Sequence, residues 1–227
     1  MAVKTYSMKT DKNKQLSPHF KVREFACPDG TDKVLISEEL VAMLEKLRSL
    51  LAEKKGGEVK ININSGYRTP SHNAKVGGSS TSQHKHGKAA DIVCYFNNKI
   101  VQAKEVCAAA QDLNFTGIAY ITSGATHVDV RGYRWWADET KGNKKVSDFY
   151  AYFKMAYPEP TETVKKGDKG TPVRWVQDKL NKAGHKLDID GSCGLATDKA
   201  IRAFQAKKGL EVDGRCGPAT RNALKKY

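Results

Sequence analysis

The chain has 227 residues, 39% of them hydrophobic and 28% charged, with a net charge of +14. That length suits one large domain or two small ones, no apolar run nears the roughly 18 residues of a membrane span, and the charge calls for an anionic partner: nucleic acid, a lipid surface or an acidic polymer. Five cysteines, odd in number and without a CxxC pair, read as reduced thiols and exclude a disulfide framework.

Residues 1–16 are polar, lack the apolar stretch of a signal peptide, and read as a flexible tail. Ordered sequence is expected to begin at SPHFKVREFAC, residues 17–27. The clearest helix is ISEELVAMLEKLRSLLAEKKGG. Ser37 is its N-cap, Glu38 and Glu39 lie in its first turn, and Lys54 and Lys55 in its last. Gly56 and Gly57 stop it, and Leu40, Met43, Leu44, Leu47, Leu50 and Leu51 form its apolar face. EVKININS then alternates as a half-buried strand. A polar Ser/Thr/Gly/His-rich segment, 65–90, separates it from a second strand at 90–96. A helix over 100–113 and two short strands at 117–121 and 126–131 follow. Without a regular βαβ alternation, these elements predict an α+β domain on an antiparallel sheet.

AYPEPTETV changes the composition and reads as a linker over 156–163. Beyond it, DGSCGLATDKAI (190–201) repeats as DGRCGPATRNAL (213–224), each copy a D-G turn leading into a short apolar helix. Residues 161–227 hold 15 basic and 8 acidic side chains, a net +7, so this small domain is more densely charged than the first.

Two polar clusters could carry chemistry. SQHKHGKAAD holds Ser82, His84, His86 and Asp91, and THVDVR holds His127, Asp129 and Arg131. Imidazoles and carboxylates are the usual nitrogen and oxygen ligands of Zn²⁺, and three of them leave a fourth position for water. The alternative from composition alone is a set of surface and turn histidines.

The full pattern, SGYRTPSHNAKVGGSSTSQHKHGKAADI followed by HVDVRG, resembles the zinc DD-peptidase family of peptidoglycan hydrolases. That family includes D-alanyl-D-alanine carboxypeptidases and L-alanyl-D-glutamate endopeptidases and shares its fold with hedgehog signalling domains. Its S-x-H-x-x-G-x-A-x-D signature falls on Ser82, His84, Gly87, Ala89 and Asp91, and its second metal motif on His127. SPHFKVREFAC is similar to the N-terminal motif of one branch. The resemblance covers 17–136. It implies one zinc ion held by His84, Asp91 and His127, and an arginine, Arg68, facing the substrate. Ser82 and His72 are further candidates for substrate contact. Several members carry an Asp or Glu general base three residues before the second histidine. Here that position is Gly124. Asp129 lies two residues beyond His127 on the same strand face and is expected to shuttle the proton, with His86 as its rival. A carboxylate that orients His127 or pairs with Arg131 is the other reading of Asp129.

The remaining signals are structural. His19 reads as packing, Trp135 and Trp136 as wall and core, and Cys94 and Cys107 as small core residues. The tail resembles the peptidoglycan-binding domain 1 family, a three-helix module, through AIRAFQAKKGL and the repeated D-G segments. The D-x-D-G stretch at Asp188 and Asp190 lacks an EF-hand loop.

These readings predict a catalytic domain over 17–155 and a binding domain over 164–227. The expected protein is a monomeric, endolysin-like zinc hydrolase of the cell wall, with peptidoglycan as partner. It would be made in the cytoplasm and released by a holin. No integral membrane segment is expected, and no stacking run or recognition motif supports nucleic acid. The alternative is a non-catalytic wall-binding protein with a structural zinc.

Overall fold

The structure, a computed structural model, describes residues 2–227. It divides into two units, Met1–Phe153 and Lys154–Tyr227.

Residues 2–16 are not a flexible tail. Strand β1 (Val3–Ser7) pairs antiparallel with β4 (Lys33–Ser37), and a small hairpin joins β2 (Gln15–Ser17) to β3 (Phe20–Lys21). Tyr6, Met8 and Leu16 pack against the core. The motif beginning at Ser17 is built inward from there. Phe20, Val22, Phe25 and Cys27 are buried. His19 stays outside and pairs with Glu45, Nδ1 to Oε2 at 2.8 Å, as a structural contact.

Helix α1 (Glu38–Lys55) follows β4 directly. The Ser37 hydroxyl accepts the Leu40 amide at 3.3 Å, and Gly56 closes the helix at φ 72°. Leu40, Val41, Leu44, Leu47 and Leu51 are buried, while Met43 and Leu50 pack at the margin. At about 25 cal/mol per Å², each buried leucine contributes roughly 1.5–3 kcal/mol. The helix lies against the main sheet, which begins with β5 (Val59–Ser65). After helix α2 (Pro70–Lys75) the sheet adds β6 (Ala89–Phe96), and β7 (Lys99–Ile100) folds back on β6. Helix α3 (Ala103–Asp112) precedes β8 (Gly117–Tyr120), β9 (Thr126–Asp129), β10 (Trp135–Asp138) and β11 (Lys144–Lys145). Helix α4 (Phe149–Tyr152) closes the unit. The strand order is β11-β10-β8-β9-β6-β5. The sheet is antiparallel except that β10 runs parallel to β8, a departure from the expected arrangement.

The second unit is all-α: α5 (Thr171–Lys182), α6 (Leu195–Lys207) and α7 (Pro218–Leu224) around Val173, Trp175, Val176, Leu180, Ile201, Phe204 and Leu224. Its sequence repeat is a structural repeat. The Gln177 side chain accepts the Gly191 amide at 2.9 Å and donates to Asp190 Oδ1 at 2.8 Å and Thr197 Oγ1 at 3.1 Å. Gln205 does the same to Gly214, Asp213 and Thr220, at 2.9, 2.7 and 3.1 Å. Cys193 and Cys216, at equivalent positions, are buried free thiols in this core. The segment read as a linker belongs to this unit. Tyr157 packs against its core, and Glu159 pairs with Lys225 at 2.9 Å.

Candidate metal centre and its cleft

Strands β6 and β9 place two of the three expected ligands side by side. Their register pairs Asp91 with His127 directly, and such cross-strand neighbours stand about 4.5–5.5 Å apart at Cβ. The third, His84, lies on a short 3₁₀ turn, Gln83–His86, just before β6. Gly87 ends that turn at φ 64°, in the left-handed region. A Cβ there would lie 2.2 Å from the Leu35 carbonyl oxygen, so glycine is required twice over.

The donor atoms form a small triangle. His84 Nε2 lies 3.2 Å from His127 Nδ1 and 3.2 Å from Asp91 Oδ1, and His127 Nδ1 lies 2.9 Å from Asp91 Oδ1. Each ligand is held from behind. His84 Nδ1 meets the Gly66 carbonyl at 2.7 Å, so its proton sits there and Nε2 keeps a lone pair. His127 Nε2 meets Asp129 Oδ2 at 3.0 Å, which frees Nδ1 in the same way. Arg68 donates to Asp91 Oδ2 and to Ser65 Oγ, leaving Asp91 Oδ1 to the triangle. Outer partners of this kind orient ligands and raise their basicity.

These residues fit a zinc ion. Four ligands at about 2.0–2.1 Å in a tetrahedron stand about 3.3 Å apart, close to the separations here. Three lone pairs facing one another at this distance repel unless a cation lies between them. Burial opposes charge on the His127 imidazole, but its hydrogen bonds to Asp129 and Asp91 outweigh burial and raise it to about 9. Burial likewise opposes charge on Asp91, and His127 and His84 hold its carboxyl well below the usual range.

The N-terminal motif supports this centre. Phe25 accepts the Tyr67 amide through its carbonyl at 2.8 Å. Gly66 passes so close that a Cβ would lie 2.6 Å from the Phe25 Cα. The motif thereby fixes both the carbonyl that grips His84 and the segment that carries Arg68.

The ligands open on a cleft of about 500 Å³. It is lined by the segment Val76–Ser79 with Thr81, Ser82 and Gln83, by Ile121, Arg131, Trp135, Glu139 and Asn143, and by Arg68. Ser82 precedes the 3₁₀ turn, but its hydroxyl caps nothing there. Trp135 stands edge-on to His127 with ring centroids 6.0 Å apart, and the Arg131 guanidinium lies over Trp135 at 4.6 Å.

Three sequence expectations change. Asp129 is not placed to shuttle a proton. It is fully buried behind His127, and Arg131 Nε binds both its oxygens at 2.9 and 2.8 Å. Its i+2 position does share a face with His127, but it meets the imidazole nitrogen turned away from the triangle. Burial opposes its charge, and His127 and Arg131 overcome that and lower its carboxyl. His86 is exposed and outside the cleft lining. His72, on α2, is also outside that lining. The cleft also takes in Glu139, which the sequence did not single out and whose place depends on how β10 joins the sheet. Cys94 and Cys107 are buried and inert: burial pushes the Cys94 thiol up to about 12 and Cys107 higher still.

Residues 18–129 match the family model of peptidase M15, and residues 169–224 match that of a putative peptidoglycan binding domain. Among solved structures, the chain is similar to the Burkholderia AP3 phage endolysin: 46% identity over 28% of this chain and 24% of that one, TM-score 0.28. It is similar to a peptidoglycan-binding protein from Clostridioides difficile, solved in complex with glutamine hydroxamate, at 41% identity over 28% of this chain and 40% of that one, TM-score 0.28. The SleB N-terminal domain is 34% identical over 30% of this chain and 96% of that one, TM-score 0.30. The chain thus spans well under half the length of the first two. No curated protein matches it.

Proposed function

We propose, on the premise that the N-terminal domain belongs to the peptidase M15 family and the C-terminal one is a peptidoglycan-binding domain, that the protein is a zinc peptidase cutting an amide bond in the peptide stem or cross-link of bacterial peptidoglycan. The observation that carries this reading is the convergence of three lone-pair donors on one point of an open cleft, each locked by an outer partner. His84, Asp91 and His127 would hold the ion. When bound, zinc polarises a substrate carbonyl and brings the pKa of a bound water towards ~7.

The chain's own groups supply orientation. Arg68 is fixed by Ser65 and Asp91, and its Nη1 makes no hydrogen bond among the described residues. It is therefore available to fork onto a peptide carboxylate or to steady charge growing on the carbonyl oxygen. Ser82 lines the same cleft, and its hydroxyl makes no hydrogen bond among the described residues. The Arg131 guanidinium over Trp135 and the Val76–Ser82 segment both line the cleft a peptide would occupy.

The basic C-terminal domain suits a polyanionic wall. Tethering the catalytic domain there raises its local concentration and can increase avidity by about 10²–10⁴. Delivery from the cytoplasm through a holin pore is part of the proposal, tested by lysis of expressing cells with and without a co-expressed holin. The main experiment is digestion of purified peptidoglycan with and without a chelator, followed by mass spectrometry of the fragments. New amino and carboxyl termini that appear only with zinc support the reading. An intact stem and cross-link with zinc present would overturn it.

A further inference from the structure

Amide hydrolysis in this cleft needs a group that takes a proton from the attacking water and returns it to the leaving nitrogen. Gly124 has no side chain, and a Cβ there would face Ile100 at 3.2 Å. Asp129 is sealed behind His127 and His86 lies outside the cleft. The cleft lining holds two carboxylates: Asp91, already engaged in the metal centre, and Glu139.

We propose that Glu139 is the catalytic proton acceptor and donor of this enzyme, an inference that rests on the peptidase reading above. Its position follows from the parallel strand. β10 pairs with β8 from Trp135↔Gly117 to Asp138↔Tyr120, so the next residues of the two strands, Glu139 and Ile121, leave the sheet side by side, and both line the cleft. The backbone beneath Glu139 is pinned. Asp138 is buried and accepts the Thr140 amide at 2.9 Å and the Tyr152 hydroxyl at 2.6 Å, and Gly142 ends the turn at φ 64°. The Glu139 carboxylate itself has no hydrogen bond or ion pair among the described residues, so its oxygens are free for water and substrate. Burial and the Asp91 charge raise its carboxyl above the ordinary value, opposed by His127, His84 and Arg68.

The step balances within the chain's own groups. The water oxygen bonds to the amide carbon as Glu139 takes one of its protons, and the carbonyl π electrons move onto oxygen. The carbon–nitrogen bond then breaks, with its electron pair leaving on nitrogen. Glu139 returns the proton to that nitrogen, giving an amine and a carboxylic acid, which loses its remaining proton to solvent.

The test uses the full-length zinc-loaded protein on a soluble peptidoglycan stem peptide, comparing Glu139→Gln, Glu139→Asp and Glu139→Ala with the parent. Zinc content, zinc affinity, melting temperature and affinity for the peptide are measured beside kcat and KM. We expect kcat to fall about 10²–10⁴ in Glu139→Gln, with zinc affinity, melting and peptide affinity unchanged. Its acidic limb should vanish from the pH–kcat/KM profile, Glu139→Asp should retain part of the rate, and added formate should partly rescue Glu139→Ala. Retention of kcat within about threefold with zinc bound would overturn the assignment, as would a loss of rate that follows loss of zinc. A parent protein that cuts no peptide would refute the peptidase reading instead.

Discussion

Replacing Asp129 by Asn separates an orienting carboxylate from a proton shuttle. The carboxylate is fully buried, and the Arg131 side chain bound to it is 11% exposed. Removing one partner of a buried ion pair costs about 3–5 kcal/mol. Asn keeps the shape and one acceptor oxygen, which places the expected loss near the lower end, about 3 kcal/mol. The same carboxylate fixes the His127 tautomer by accepting from Nε2 at 3.0 Å. Loss of such an outer partner weakens metal binding about 10–100-fold, or about 1.4–2.8 kcal/mol. The assays are urea unfolding of the metal-free protein and chelator competition for zinc, followed by turnover at saturating zinc. The expected pattern is a less stable protein with weaker zinc affinity and turnover within about tenfold of the parent once loaded. Parental stability and zinc affinity, with turnover reduced about a thousandfold, would refute the reasoning and return Asp129 to proton transfer.

His84→Ala, Asp91→Ala and His127→Ala should each lose stoichiometric zinc, measured by atomic emission, together with hydrolysis; one that keeps both removes that residue from the ligand set. Zinc uptake should depend on pH, because His127 carries a proton up to about 9 in the metal-free fold and the ion must displace it. Apparent affinity should rise about tenfold per pH unit below about 9 and level off above it. The same proton stabilises the metal-free fold fully below about 6.5, the ordinary imidazole value, and that contribution is lost as pH rises through about 9. Melting of the chelated protein should therefore fall across this window; a flat profile in both experiments contradicts the pairing. Gly117→Ala would set a Cβ 2.1 Å from the Asp129 carboxylate. It should destabilise the fold by about 3 kcal/mol or more in urea unfolding, and an unchanged midpoint would show that the packing gives way.

What could be read from the residues alone depended on how local each cause was. Helix α1 was legible because its cap, charges, period and stop all lie within twenty residues and agree. The convergence of His84, Asp91 and His127 was anticipated through the family resemblance of the segments that carry them. Strand β1 was not, since VKTYS is a largely exposed strand whose partner lies some thirty residues on. The last two strands were short, and β10 takes its place only by pairing parallel to a strand already joined to β9. Glu139 inherits that difficulty, because nothing near it in sequence points to the cleft. Asp129 shows a subtler failure. The alternation rule correctly put it on the face of His127, but the rule does not say which imidazole nitrogen it meets. That is decided by His84 and Asp91, which already hold the other one.

The pairing of Asp91 with His127 makes strand register and metal coordination one event. A one-residue slip between β6 and β9 would turn one of the two side chains to the opposite face of the sheet, and the triangle would be lost. Its third corner, His84, is tied through Gly66 to the N-terminal motif. An ion held there would be a clasp on the finished topology, with no equivalent grip on a partly folded chain. Zinc that binds the native state alone stabilises it by RT ln(1 + [Zn]/Kd), about 4 kcal/mol at a thousandfold excess over Kd.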